Sequence, residues 1–440
     1  MSDSNKKSKN YKLSSQETVY SKIIFLLVLC IISIASSTLT TFIVYFHTRD
    51  VVKTISENII PSIIASEKIN ASLAYAHCNA INAVITNEKT ESSYWTLYRN
   101  NMNTIHSELL DISKKTPFDN KQQNLILSIM SNIGVYEYKA GCFVSNDTVL
   151  SSNEFTNADK LMQQQILPDS ASLINMNSNK LDSIYNNYTK KFYIKTTFIL
   201  CLGFLIIAVL IETQIYIYKK TNRILNLGLL LATLIFLIST AYSIYSLTSI
   251  KADLYEAKQD SFDSIHSLWD AKDAAFNSKT LESLYLLHHE TGITQNIDTI
   301  NFNTLSFSLY NENSKSGYLA DNLNNITFLN RKSLKETIIQ DWENYITIDK
   351  QIRTLEDENN HNDAVTLCIG TSQGQSEYAF KNFNKSLDNT IDINQTNFNN
   401  YISSAYKTLN MFPIVIIIFT ILMFIFVILG LKPRIDEYTI

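Results

Sequence analysis

The stretch IIFLLVLCIISIASSTLTTFIVYF, residues 23–46, decides the fold class. It carries no charge over 24 residues. At about 1.5 Å per residue, a helix of that length crosses a hydrocarbon core of about 30 Å. Three further runs share its character: residues 196–218, uncharged except for Glu212, residues 224–247 and residues 412–431. Four membrane spans are therefore predicted. The first is longer than a signal-peptide core and has no small-x-small cleavage site before polar sequence, so it reads as a retained span.

Lys and Arg placement orients them. Lys6, Lys7, Lys9, Lys12 and Lys22 precede span one; Lys219, Lys220 and Arg223 fill the short loop at 219–223; Lys432 and Arg434 follow span four. All three sets fall on one side, which the positive-inside rule makes cytoplasmic. Lys190, Lys191 and Lys195 lie on the other side, where long segments translocate regardless of charge. Both termini, residues 1–22 and 432–440, are then expected inside, and residues 47–195 and 248–411 outside. No effector domain fits in such short inner segments, so a signal is expected to leave through a separate cytoplasmic protein.

Nine Gly and five Pro in 440 residues are too few for an all-β or doubly wound α/β domain. The outer segments read as helices at about 47–88, 91–115, 119–146 and 153–195. The expected breaks are Thr116-Pro117 and Ser145-Asn146-Asp147, with Pro168 as a kink. Going up, down, up and down over those lengths returns the chain to the membrane, as a four-helix bundle requires. The second segment reads as a helix over 248–290 ending near Gly292, one or two helices across 297–358 interrupted near Gly317, and a helix from about 363 into span four, disturbed at Gly370 and Gly374. The halves look duplicated. SLAYAHCNAINA at 72–83 and SLWDAKDAAFNS at 267–278 share five positions. The fold class is thus all-α: four spans and two duplicated extracytoplasmic four-helix bundles.

The charge balance, 37 Lys+Arg against 41 Asp+Glu, offers no nucleic-acid surface. His288-His289-Glu290 lacks the spacing of a zinc site, and GTSQGQS at 370–376 lacks the Lys of a phosphate loop. No catalytic residue, metal site or cofactor is expected, and the five cysteines read as free thiols. Membrane lipid is the one partner the spans themselves imply. Hydroxyl residues in span one (Ser33, Ser36, Ser37, Thr38, Thr40, Thr41) and span three (Ser239, Thr240, Ser243) suggest a close seam between those helices. Glu212, the acidic residue within a span, either reaches the inner interface near Lys219 and Lys220 or makes a polar contact between spans.

Arg is scarce outside. Arg99 and Arg353 are candidate ligand or partner residues, because a guanidinium fork holds a carboxylate bidentately; a solvated surface role is the plainer reading. Trp95 and Tyr98, and Trp342 and Tyr345, form two pairs at i, i+3 spacing. These fit core packing better than a binding platform. Glu282 with Ser283 reads as an interhelical polar contact or as surface.

SLAYAHCNAINAVI at 72–85 with Tyr98, Tyr136 and KLMQQQILPDSA at 160–171 in the first half, and AKDAAFNSKTLESL at 271–284 with Trp342, Tyr345, Arg353, Ala364-Val365 and Gly370 in the second, resemble an actinobacterial family of four-span membrane sensors with two extracytoplasmic four-helix bundles. These are often encoded beside a glutamine/glutamate-binding lipoprotein and a soluble Ser/Thr protein kinase. The resemblance implies a receptor for an extracellular signal such as amino-acid availability. An extracytoplasmic solute-binding protein and a cytoplasmic Ser/Thr kinase are its implied partners. The alternative is a scaffold or transporter-accessory membrane protein. A transporter or channel is disfavoured, because the spans show neither broken helices nor paired charges.

Overall fold

A computed structural model describes residues 2–86, 90, 92–115, 120–145, 153–221, 226–291, 295–311, 313–321 and 331–437. The expected breaks at Thr116-Pro117 and Asn146-Asp147, the positions of Arg223 and Gly292, and the side chains of Lys6 to Lys12, His289, Glu290 and Arg331 lie outside the described residues. Among the described residues, thirteen α-helices and three π segments run in the order α1 (Ser2–Lys53), π (Thr54–Ile59), α2 (Ile60–Ile85), α3 (Ser93–Lys115), α4 (Asn120–Ser145), α5 (Asn153–Leu161), π (Met162–Ile166), α6 (Leu167–Thr221), α7 (Leu227–Tyr255), π (Glu256–Phe262), α8 (Asp263–Thr291), α9 (Gln295–Leu309), α10 (Tyr318–Asp321), α11 (Arg331–Asp357), α12 (His361–Ile369) and α13 (Ser376–Asp436). No strand occurs among the described residues. Four helical stretches, Val19–Ile85, Glu154–Lys220, Leu227–His288 and Ser376–Asp436, are long and apolar enough to cross a membrane.

Two of the three π segments precede a proline. Thr54–Ile59 comes just before Pro61, and Met162–Ile166 just before Pro168. Proline removes an N–H donor and crowds the carbonyl four residues back. A locally widened turn takes up both effects, and the Leu167 N–H reaches Met162 O. Pro168 therefore ends no helix: α6 continues for 55 residues. The third π segment, Glu256–Phe262, begins 202 residues after the first. That interval is seven residues longer than the 195 separating the similar segments at Ser72 and Ser267.

The chain divides into two compact units. The span unit comprises Met1–Lys53, Ser183–Leu254 and Ile402–Ile440. Its core joins Cys30 and Ile34 of α1, Ile206 and Leu210 of α6, Ala232 and Phe236 of α7, and Met423 and Val427 of α13. The helices meet through small polar and close-packed contacts. Cys30 Sγ lies 3.6 Å from Thr213 Oγ1. Asn226 Nδ2 donates to Gly430 O at 2.7 Å. Thr38 and Thr420 share a hydroxyl hydrogen bond of 3.0 Å. This hydroxyl pairing joins spans one and four, while spans one and three meet in the apolar core. Thr38 and Thr40 also turn back onto their own helix, to Ile34 O at 3.0 Å and Ser36 O at 2.9 Å.

The bundle unit comprises Thr54–Asp182 and Tyr255–Tyr401, so both outer segments build one body. Helix α2 is buried along most of its length and packs against α3, α4 and α8. The core runs from Ile69 and Leu73 through Ile105, Leu109, Ile129, Ile133 and Phe143 to Leu284 and Leu287. A second apolar focus is aromatic. Trp342 and Tyr345 of α11 have ring centroids 5.1 Å apart, and each packs on a phenylalanine of α13: Trp342 on Phe383 at 5.0 Å, Tyr345 on Phe380 at 5.3 Å.

Candidate functional site

Within the bundle unit, α2, α5, α6, α8 and α9 enclose a groove of about 650 Å³. It is lined by carboxylates Asp159, Asp273 and Asp298, by amides including Asn70, Asn277 and Asn301, and by an apolar set that includes Leu167, Leu281, Leu284 and Leu305. The helical register of α8 places Asp273, Asn277, Leu281, Leu284 and His288 on one face, at spacings of three and four. Asp273 Oδ1 accepts from Asn70 Nδ2 at 2.8 Å and from Asn277 Nδ2 at 3.1 Å. Burial, and then the nearby Asp270, push the Asp273 carboxyl up to about 7. His288 Nδ1 lies 2.6 Å from Asp298 Oδ2. His77, buried on α2, bridges Tyr136 OH at 2.9 Å and Asp159 Oδ1 at 3.1 Å.

One helical turn before Asn70, Glu67 pairs with His266. Burial raises the Glu67 carboxyl to about 7, while its hydrogen bond to Glu67 raises His266 to about 9. The pair thus holds a proton across neutral pH, with Asp270 adding negative charge to both.

A second polar cluster is enclosed in the bundle core. Lys279 and Glu282 of α8 form an ion pair in which both side chains are 0% exposed. Lys279 Nζ also donates to Ser376 Oγ at 2.8 Å and to Cys368 O at 3.3 Å, and Ser376 Oγ donates to Glu282 at 2.9 Å. Burial alone would lower the Lys279 pKa. The Glu282 and Glu377 carboxylates oppose that effect and hold the ammonium charged, well above its usual range. The turn between α12 and α13 delivers Ser376 here. Gly374 takes φ +86°, a left-handed conformation that side-chain-bearing residues rarely adopt. That turn is the helix break expected at Gly370 and Gly374. Burial pushes the Cys78 thiol up to about 12 and the Cys368 thiol well above its usual value, so neither is a reactive thiolate.

The sequence-predicted residues do not converge on one point. Arg99 is exposed on α3. Arg353 is engaged: its Nε donates to Asp349 Oδ2 at 2.8 Å, one terminal nitrogen donates to Asp349 Oδ1 at 3.1 Å and the other to Thr299 Oγ1 at 2.9 Å. Its guanidinium also stacks between Tyr285 and Phe302, 4.5 and 4.6 Å from the ring centroids. The fork expected to hold a ligand carboxylate therefore holds Asp349. Trp342 and Tyr345 are core residues, 1% and 0% exposed, and Trp95 stacks on Tyr98 at 4.4 Å. Glu282 makes an interhelical contact, to Ser376 of α13. Glu212 is exposed, and the polar contact beside it is made by Thr213 with Cys30. Lys279, Ser376, Asp273 and Asp298 were not singled out from sequence. For Lys279 a signal existed, since it lies at i, i+3 from Glu282 in a helix segment otherwise rich in small and apolar residues.

All five cysteines are free. Cys78 and Cys368 are fully buried, so neither suits surface labelling; Cys142 is the partly exposed thiol of the bundle unit. Among the described residues no three His, Cys, Asp or Glu side chains are placed to hold a metal ion.

No curated protein and no solved structure matches the chain. Residues 51–186, which cover α2 to α5 and the start of α6 with Asn70, His77 and Asp159 of the groove, match the family model of the actinobacterial sensor domain.

Proposed function

We propose that this chain is a multi-pass membrane sensor whose bundle unit faces outward and whose termini face the cytoplasm. A signal such as amino-acid availability, received directly or through a solute-binding protein, is passed to a separate effector such as a Ser/Thr kinase. One observation carries the reading. The region similar to a sensor domain begins in one candidate membrane-crossing stretch, Val19–Ile85, and ends in the next, Glu154–Lys220. Helix α6 runs unbroken from Leu167 to Thr221, so a shift at its first turns needs no flexible joint to reach the span residues. The π segments at Thr54–Ile59 and Glu256–Phe262 open the two stretches of the bundle unit. A π turn can exchange hydrogen-bond register with its α neighbours at modest cost, which suits a two-state element.

The test uses two readouts in intact cells. Cys142 is expected to react with a membrane-impermeant maleimide, and a Cys replacing Lys220 is expected to stay protected. Deleting residues 2–18 while keeping Lys22 is expected to leave that labelling unchanged but to abolish the effector's response to external glutamine and glutamate. Labelling at position 220 with protection of Cys142 would reverse the orientation. An unchanged effector response would move the output from the N-terminal tail to the spans.

A further inference from the structure

The groove has the wrong charge for a carboxylate ligand. Three carboxylates line it, and its one basic side chain, His288, is already against Asp298. An anion entering would meet net repulsion, whereas a cation would meet complementary charge in a partly desolvated site, where such contacts are strengthened. A bare metal ion does not fit either, because no metal-holding cluster exists among the described residues. The remaining lining favours an organic cation, since Leu281, Leu284 and Leu305 offer a surface to an alkyl body. A further feature points to a donor-rich ligand. Asn70 is 7% exposed and lines the groove; its Nδ2 is committed to Asp273, and its Oδ1 has no hydrogen-bond partner. A buried acceptor left alone carries a desolvation cost that a bound N–H donor removes. An ammonium group supplies three donors and one positive charge, enough for the Asp273 carboxylate and the Asn70 carbonyl together.

We propose that the groove binds a small aliphatic amine, with Asp273 and Asn70 receiving one ammonium group and Asp298 providing a second anionic contact for a diamine. The sensing role assigned to such a ligand rests on the reading given under Proposed function; the binding itself does not.

The probe is 1,4-diaminobutane, titrated by calorimetry into the full chain in lipid nanodiscs at fixed ionic strength and pH 8. Saturable binding is expected. Asp273→Asn and Asp298→Asn should each weaken it by about ten-fold or more, as loss of a charge-assisted contact implies. Asn301 is exposed on the groove wall, so Asn301→Lys should fold normally and abolish binding by placing a competing ammonium there. That variant decides the matter if the Asp273 substitution impairs folding. No saturable heat with the diamine, equal affinity in Asn301→Lys, or glutamate binding as tightly as the diamine would each overturn the assignment. Amine binding without any change in the spans would leave the site standing and remove the sensing role. A response of the spans to other stimuli without amine binding would do the reverse.

Discussion

Lys279→Met is expected to destabilise the protein by about 3–5 kcal/mol, the cost of leaving a buried charge without its partner. The orphan is Glu282, 0% exposed, which would keep only the Ser376 hydroxyl and the Cys368 thiol as donors. Thermal unfolding of the detergent-solubilised chain, followed by circular dichroism, reads the effect. The double substitution Lys279→Met/Glu282→Leu removes both charges and is expected to recover most of the loss, because a buried ion pair is frequently no more stabilising than apolar residues of similar volume. If the double variant is as unstable as the single one, the cost lies in packing around Lys279 and not in the orphaned charge.

The second large effect is expected in the span unit. A Cβ at Gly228 would lie 2.6 Å from Gly430 Cα and 2.7 Å from Phe426 O, distances that only backbone movement can relieve. Close backbone approach at small residues is how helices associate in lipid, where there is no hydrophobic drive between them. Beside it, Asn226 accepts from the Leu229 N–H at the start of α7 and donates to Gly430 O across the helix pair. Gly228→Leu should therefore separate the ends of α7 and α13 and break that bridge, costing about 3 kcal/mol, at the upper end for overpacking. The expected outcome is a large drop in the yield of monodisperse protein in detergent, with Gly228→Ala intermediate. Wild-type yield and melting temperature for Gly228→Leu would show that the helices do not meet there.

The spans were legible because long apolar runs with at most one charge specify them, and the four candidate stretches of the structure contain or overlap each run. The helical breaks at Gly317 and at 370–375 were legible from turn residues, since α9 ends at Leu309 and α12 at Ile369. Tertiary relationships were not. A count of hydroxyls in spans one and three does not name their partners, and Thr38 pairs with Thr420 of span four. Arg353 is a candidate ligand residue or a solvated one from sequence, and the structure makes it neither, because Asp349, four residues earlier on the same helix, takes its fork. The i, i+3 spacing of Lys279 and Glu282 is legible in sequence, but their partner Ser376, 97 residues after Lys279, is supplied only by the tertiary fold. The three groove carboxylates sit on α5, α8 and α9; Asp159 lies more than a hundred residues before the other two, and only the tertiary packing gathers them.

The most direct measurement asks whether the bundle unit and the spans change together. Cysteines replacing Thr38 and Thr420, whose hydroxyls are 3.0 Å apart, report the contact between α1 and α13 through their rate of disulfide formation in native membranes. The rate is expected to change by about two-fold or more when external glutamine with glutamate, or 1,4-diaminobutane, is added, and again when Lys279→Met alters the bundle core, as a biased two-state equilibrium requires. Identical rates with and without each addition, in both the wild-type and Lys279→Met backgrounds, would contradict a sensor that signals through its spans.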